Sequence, residues 1–435
     1  MQYGILKLEK TGWKDQLIKP YLIKKKSILF LGGNFYPELT GIGKYNGEMI
    51  AWLSEHSYQC SVITTYPYYP SWKVQTPYAY KSFWYKKEKQ IFPGGIPINL
   101  YRCPHYVPQK PSGIKRILSD SSFFLSALFK LLILLFSKKY DYVMVVAPPF
   151  QLGLLGVLYQ KIKGAKFIYH MQDLQIDAAS ELGMIKSKIL IRAMFGIERY
   201  IIMRADYVSS ISEGMIKKIK NKCKRSVILF PNWVDTKAFY PISQKEDLKT
   251  KFNFLPTDKI VLYSGAIGEK QGLQTLLQSA KELSYKQNIK FVVCGYGPYK
   301  QKLMEQSKKM ALQNVFFMPL QPKESFNAFL NMADIHLVLQ KADTNDLVMP
   351  SKLTTILSIG GLAIITAESN TSLFETVEHN NIGIIIQPED RKALTDSILA
   401  ALEEEHNHII LNARNYAEQF LSIDKVFKDF FIMEV

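Results

Sequence analysis

Two doubly wound α/β domains are the fold the sequence predicts, on three observations. Short apolar, β-branched runs recur at helix-length intervals along the chain. They fall into two sets separated by a Pro-, Asn- and Asp-rich break, "FPNWVDTKAFYP" at 230–241. The chain is 435 residues long, past the size at which one hydrophobic core stops growing. Continuously apolar strands, unlike alternating ones, belong to parallel sheets covered on both faces, and strands alternating with helices build doubly wound domains.

The first set of expected strands is 27–31 (SILFL), 60–65 (CSVITT), 141–147 (DYVMVVA), 166–170 (KFIYH), 206–210 (DYVSS) and 226–230 (SVILF). The second is 259–264 (KIVLYS), 289–294 (IKFVVC), 314–318 (NVFFM), 334–339 (DIHLVL), 362–366 (LAIIT) and 382–386 (IGIII). Domains are therefore expected at 27–232 and 233–411. Residues 1–26 match no element and stand as an unassigned extension. They lack the apolar centre of a signal peptide.

The four cysteines, Cys60, Cys103, Cys223 and Cys294, lie far apart without a CxxC pair, which argues against a disulfide framework or zinc site and fits a reducing compartment. Charge is unevenly placed. Residues 1–232 carry 34 Lys and Arg against 14 Asp and Glu, an excess of +20; residues 233–435 carry 21 against 24, or −3. A basic half asks for an anionic partner: nucleic acid, anionic lipid or a phosphorylated substrate. No nucleic-acid-binding module accompanies the charge, so none is expected as a ligand. The most apolar stretch, "FFLSALFKLLILLF" at 123–136, is 14 residues long and broken by Lys130, too short to span a bilayer. It reads either as a buried helix or as one lying in a membrane surface between Lys115, Arg116, Lys138 and Lys139. The aromatic loop 66–85 suits a sugar ring, a lipid interface or plain packing.

In order, "YPELTGIGKY", "YHMQDLQIDAASELG", "ILFPNWVD", "LYSGAIGEKQGL", "VVCGYGP" and "VMPSKLTTILSIGG" resemble a bacterial GT-B glycosyltransferase of family 4, in the branch that builds exopolysaccharides such as colanic acid. The resemblance runs over about 27–430. It implies two facing Rossmann-like domains with the active site between them, and transfer of a sugar from a nucleotide sugar with retained configuration. It implies no metal and no cofactor. The acceptor side belongs to the N-terminal domain, the donor to the C-terminal one, and a C-terminal helix (412–435) crosses back to the first domain. The implied acceptor is a polyprenyl-diphosphate-linked glycan, met at the cytoplasmic face of the membrane through anionic lipid. The implied donor is GDP- or UDP-linked, GDP-fucose among them.

A nucleotide sugar's diphosphate is the leaving group, so helix N-termini and a cation should meet it. "SGAIGEKQG" supplies Gly265 and Lys270; relatives carry Arg and Lys near Ala266 and Gln271 instead. Ser351, Lys352 and Leu353 open a helix that could hold phosphate. The family's acidic pair is absent, its positions taken by Leu347 and Thr355, with Asp346 a possible substitute. Gly295 and Gly297 make a turn near the base or merely a packed turn. Gly41 and Gly43 line the opposite wall, where Thr40 replaces a first glycine. At the reaction centre, His170 ends a strand and Asp173 and Asp177 follow; a helical turn there would align all three. His170 then positions the transferred sugar and Asp173 orients it or receives the acceptor proton. Competing readings are a nucleotide-sugar epimerase on the same scaffold and a non-catalytic glycosyltransferase-like partner. An NAD-dependent oxidoreductase is disfavoured, because the loop after Gly41 reads GxGxxxG.

Overall fold

The computed structural model describes residues 26–38, 41–137, 139–181, 185, 187–342 and 350–434. The first domain holds β1 (Ser27–Leu31), β2 (Gln59–Thr65), β3 (Lys86–Gln90), β4 (Ile98–Cys103), β5 (Tyr142–Ala147), β6 (Lys166–Met171), β7 (Tyr207–Ser210) and β8 (Ile228–Leu229). Their order is β3-β4-β2-β1-β5-β6-β7-β8, parallel except for β3. The second domain holds β9 (Lys259–Ser264), β10 (Ile289–Cys294), β11 (Val315–Met318), β12 (Ile335–Val338), β13 (Ala363–Thr366) and β14 (Ile384–Ile386), in the order β11-β10-β9-β12-β13-β14, all parallel. The two-domain expectation holds, with the helices the alternation calls for.

Both sheets are covered on both faces, as continuous apolar strands require. Leu29 and Leu31 of β1 face one apolar layer and Ile28 and Phe30 face the other. The strand reading missed β3 and β4. β3 is Lys-Lys-Glu-Lys-Gln, an edge strand without an apolar residue, and charge is how sheet edges are protected. β4 carries Arg102, which is almost fully buried. Its guanidinium donates to the Tyr36 carbonyl (2.7 Å) and the Thr65 carbonyl (3.2 Å) and pairs with Glu88 on β3 (3.3 Å). One buried cation thus ties together the loops that follow β1 and β2.

Each sheet has one place where strand order reverses: between β1 and β5, and between β9 and β12. The loops leaving the paired strands diverge to opposite faces there and open a crevice at the carboxyl ends. Gly41, Gly265, Gly295, Gly297, Lys352 and Asp173 lie at these two crevices.

The C-terminal segment crosses back at Ser422 rather than at 412. Ala413, Ala417 and Leu421 still pack on the second domain. Val234 and Ser422 then form an isolated bridge, and Val426, Phe427, Phe430 and Phe431 enter the first domain's core. Phe430 stacks on Phe230 at 4.1 Å, and Trp52 Nε1 donates to Asp424 at 3.0 Å. The helix Gly113–Leu134 is longer than its apolar stretch suggests, and by length and composition alone could cross a membrane. Instead one face, Phe123, Ala127, Leu131 and Leu134, is buried on the domain.

Candidate active site

The second domain's crevice is tight. Gly295 and Gly297 are there because no side chain fits: a Cβ on Gly295 would lie 1.9 Å from the Gly265 carbonyl oxygen, and one on Gly297 2.1 Å from that of Ile267. The β10 turn and the β9 loop are further laced by Gly265 N–H to Cys294 and Ile267 N–H to Tyr296. These two glycines therefore hold the loop after β9 in place by close packing. Gly265 has φ +154, and a Cβ there would meet the Lys352 side chain at 3.4 Å.

Lys352 is the central feature of this wall. Its Nζ is buried, lies 3.7 Å from the centroid of the Tyr263 ring, and has no hydrogen-bonding partner among the described residues. Burial pulls its ammonium down to about 7. A cation stacked on an aromatic face is only partly compensated, and a carboxylate or phosphate would complete it. Ser351 is exposed at the start of the Ser351–Ser358 helix. Leu353 is corrected: its side chain is core and its N–H is taken by the Pro350 carbonyl at 2.9 Å, which leaves the amides of Ser351 and Lys352 at the helix start. Thr355 is buried in this helix; Leu347 and Asp346 lie outside the described residues.

The facing wall belongs to the first domain. Gly41, with φ +58, opens the Gly41–Glu55 helix beside Tyr69. At Gly43 a Cβ would sit 2.7 Å from Glu38, so this glycine makes room for that side chain. Glu38 is buried and accepts from the Tyr68 and Tyr69 amides, each at 2.8 Å, and from Asn34 at 2.9 Å. It anchors the aromatic loop to the loop after β1. Thr40 lies outside the described residues. Tyr45, one turn on, places its buried hydroxyl beside Ser351 and Thr354 of the other domain. Trp233 in the joint packs edge-on against Tyr45 at 5.1 Å and donates to Glu48 at 2.9 Å.

Asp173 follows β6 and lies in the first domain's crevice. Burial raises its carboxyl to about 6, against the opposing pull of the Lys270 ammonium from the other domain. Lys270 itself is exposed, in the short turn Glu269–Gln271. The positive charge of Lys270 in one domain is thus felt at the Asp173 carboxyl of the other.

His170 is not at the cleft. It is fully buried inside β6, its Nδ1 3.0 Å from Ser209 Oγ, its ring edge-on to Phe230 at 4.9 Å. Burial pushes the imidazole down to about 3, so it is neutral. The expected helical alignment fails because β6 continues to Met171 and the next helix starts only at Gln175. Strand alternation sends His170 into the apolar layer. Asp177 turns away too and pairs with Lys222, which also reaches Glu198 at 2.9 Å.

Arg116 is also reassigned. Its guanidinium stacks over Trp72 at 5.3 Å and lines the cavity that contains Asp173. Lys115 and Lys139 remain exposed on or near the Gly113–Leu134 helix, and Lys138 lies outside the described residues. The sequence reading missed Tyr263, Tyr45, His105 and Asp120. Tyr45 and Tyr263 lie inside the motifs "YPELTGIGKY" and "LYSGAIGEKQGL" but carry no chemical signal there, and His105 and Asp120 lie in no motif.

Two doubly wound domains with opposed switch-point crevices define the GT-B class of transferases. The chain belongs to the glycosyl transferase group 1 family: residues 244–418 match the model "Glycosyl transferases group 1" and residues 40–233 the model "Glycosyl transferase 4-like domain". It is therefore a glycosyltransferase. It is 38% identical over 413 residues to WcaI of Escherichia coli strain K12, named for colanic acid biosynthesis, covering 93% of this chain and 98% of that one. In fold it is similar to sucrose-phosphate synthase of Thermosynechococcus elongatus, with TM-score 0.72, 15% identity, and 94% and 98% of the two chains covered. It is similar also to Anabaena HepE in complex with UDP, with TM-score 0.66, 12% identity, and 94% and 99% covered.

Proposed function

We propose that this glycosyltransferase moves a sugar from a GDP- or UDP-linked donor to a lipid-linked glycan in exopolysaccharide assembly, with retention and without a metal. The observation that carries the donor half is Lys352: a buried ammonium with no hydrogen-bonding partner among the described residues, beside the Gly265 loop and a helix N-terminus. That combination suits a diphosphate, whose charge grows as it leaves. Lys270 adds a second positive charge from the cleft edge. The UDP bound by HepE supports a nucleoside diphosphate, and WcaI's name supports polysaccharide assembly.

In the reaction read this way, the bond from the anomeric carbon to the β-phosphate oxygen breaks and its electron pair stays on the phosphate. The acceptor oxygen bonds to the same carbon from the same face. Its proton passes to Asp173, ionised at neutral pH and placed by the end of β6. No protein nucleophile is needed. His170 serves by packing β6 against Phe230, and so positions Asp173 indirectly.

The acceptor half rests on the Gly113–Leu134 helix. Its inner face brings Asp120 and Phe123 to the cavity with Asp173. Its outer face exposes Leu118, Leu125, Phe129, Leu132 and Ile133, with Phe136 just beyond. Tyr80, Phe83 and Trp84 (88, 77 and 68% exposed) stand nearby, joined to the helix by Tyr85, whose hydroxyl donates to the Ser126 carbonyl at 3.0 Å and whose ring meets Phe129 at 5.5 Å. One helix with a polar inner end and an apolar outer face suits an acceptor with its sugar in the cavity and its tail in an anionic cytoplasmic leaflet. The donor reading is tested by thermal stabilisation with UDP and GDP, for wild type and Lys352→Met. Absence of any shift with wild type overturns it. Retention of transfer in excess EDTA checks metal independence.

A further inference from the structure

The first domain's cavity has a volume of about 310 Å³, within the roughly 300–1,000 Å³ of small-ligand clefts. Donor chemistry does not account for its far end. Three features meet there. Trp72 is half-buried with φ +51, a left-handed conformation that a bulky aromatic residue rarely adopts without a functional reason. It is held from two sides, by Arg116 over its ring at 5.3 Å and by Tyr68 edge-on at 5.4 Å. Asp120 on the Gly113–Leu134 helix accepts from Gln175 Nε2 at 2.7 Å. His105, after β4, is wedged against Tyr68 at 4.8 Å, and its Nε2 is buried without a hydrogen-bonding partner among the described residues.

We propose that Trp72, Asp120 and His105 form a sugar-recognition subsite that selects an uncharged, hydroxyl-bearing pyranose as the acceptor's terminal residue. The pyranose lays its C–H face on Trp72, an apolar contact of defined orientation. One hydroxyl donates to the free lone pairs of Asp120, and another pairs with His105 Nε2. Burial pushes His105 down to about 3 and Asp120 up to about 6, so at neutral pH the first is uncharged and the second is a carboxylate. Asp173 shares the cavity with Asp120 and Arg116 and is offset by the Lys270 charge from the other domain, so the like charge at this end of the cavity is that of Asp120. An acidic sugar brought here meets like charge and loses hydration. A hydroxyl-reading site discriminates strongly because its buried polar groups stay unpaired when the wrong ligand enters.

This subsite rests on the acceptor assignment above, and its test is separable from the donor test. Saturation-transfer NMR is run on the full chain with methyl β-galactopyranoside, methyl β-glucopyranoside and methyl β-glucopyranosiduronate, with UDP-induced thermal stabilisation recorded on the same samples. The expected result is saturation transfer to a neutral glycoside, at least tenfold weaker binding of the glucuronide, and loss of glycoside binding in Trp72→Ala with the UDP response kept. Asp120→Asn, which preserves shape, weakens the neutral glycoside about tenfold and narrows the gap to the glucuronide. The proposal is overturned if wild type binds neither neutral glycoside, if the glucuronide binds as well or better, or if both variants bind like wild type. A missing UDP response would count against the donor reading alone.

Discussion

The two switch-point crevices share one topology and differ in almost everything else. The second domain's is glycine-packed and holds a buried cation on an aromatic ring. The first domain's is aromatic, with a cavity of about 310 Å³, and carries largely buried carboxyls at Asp120 and Asp173. On the function proposed above, the same crossover geometry serves opposite purposes: one site for an anion, the other for hydroxyl groups. What separates them is side-chain volume and charge placed on equivalent loops.

The sharpest way to break this contrast is to remove the cation. Lys352→Met should abolish stabilisation by UDP or GDP in a thermal-shift assay and lower turnover by about 10²–10³-fold, the usual scale for one buried charge-stabilising donor. Removing the carboxylate should give the complementary result. Asp173→Asn should lower turnover by about 10²-fold or more while the nucleotide response survives, as expected for a lost general base.

Packing comes next. Gly295→Ala drives a methyl group into the Gly265 carbonyl, so it should lower the unfolding free energy by about 1–3 kcal/mol and blunt nucleotide binding. Denaturant unfolding with and without UDP separates the two effects.

The pH profiles of the two crevices should run in opposite directions. Lys352, held near 7 by burial, is charged below that pH in the empty site. An anion favours the charged form, so nucleotide affinity should fall as pH rises above about 7, by at most about tenfold per unit, and Lys352→Met should flatten the curve. Asp173, held near 6, must be ionised to take a proton, so turnover should rise as pH climbs through about 6. His170 adds a stability effect. Its folded pKa is depressed below its ordinary value, so its contribution is full above about 6.5 and is lost as pH falls toward 3. His170→Phe should reduce that acid sensitivity of the thermal midpoint.

The smallest structural effect belongs to the outer face. Phe129→Glu with Leu132→Glu should leave stability within about 0.5 kcal/mol per site, since both side chains are exposed, while weakening co-sedimentation with phosphatidylglycerol vesicles. Unchanged co-sedimentation would detach the membrane from the acceptor reading.

The sequence by itself determined the architecture and singled out candidate residues on the second domain's wall. Continuous apolar strands can only be buried on both faces, so twelve of the fourteen strands and the two-domain division were readable from composition along the chain. Gly265, Lys270, Ser351 and Lys352 stood out as candidates because a strand, a glycine turn and a helix start are local features. Tertiary structure alone decided which residues share the first domain's cavity. His170 reads as a strand-end ligand and is core, since strand alternation and the C-terminal aromatics close over it. Arg116 reads as one of four membrane cations and stacks on Trp72 instead. Asp120, His105 and Trp72 are far apart in sequence and share one cavity, because parallel strands gather their carboxyl-end loops at a single edge. Periodicity records which face of an element is buried; it carries no record of which distant loop that face will meet.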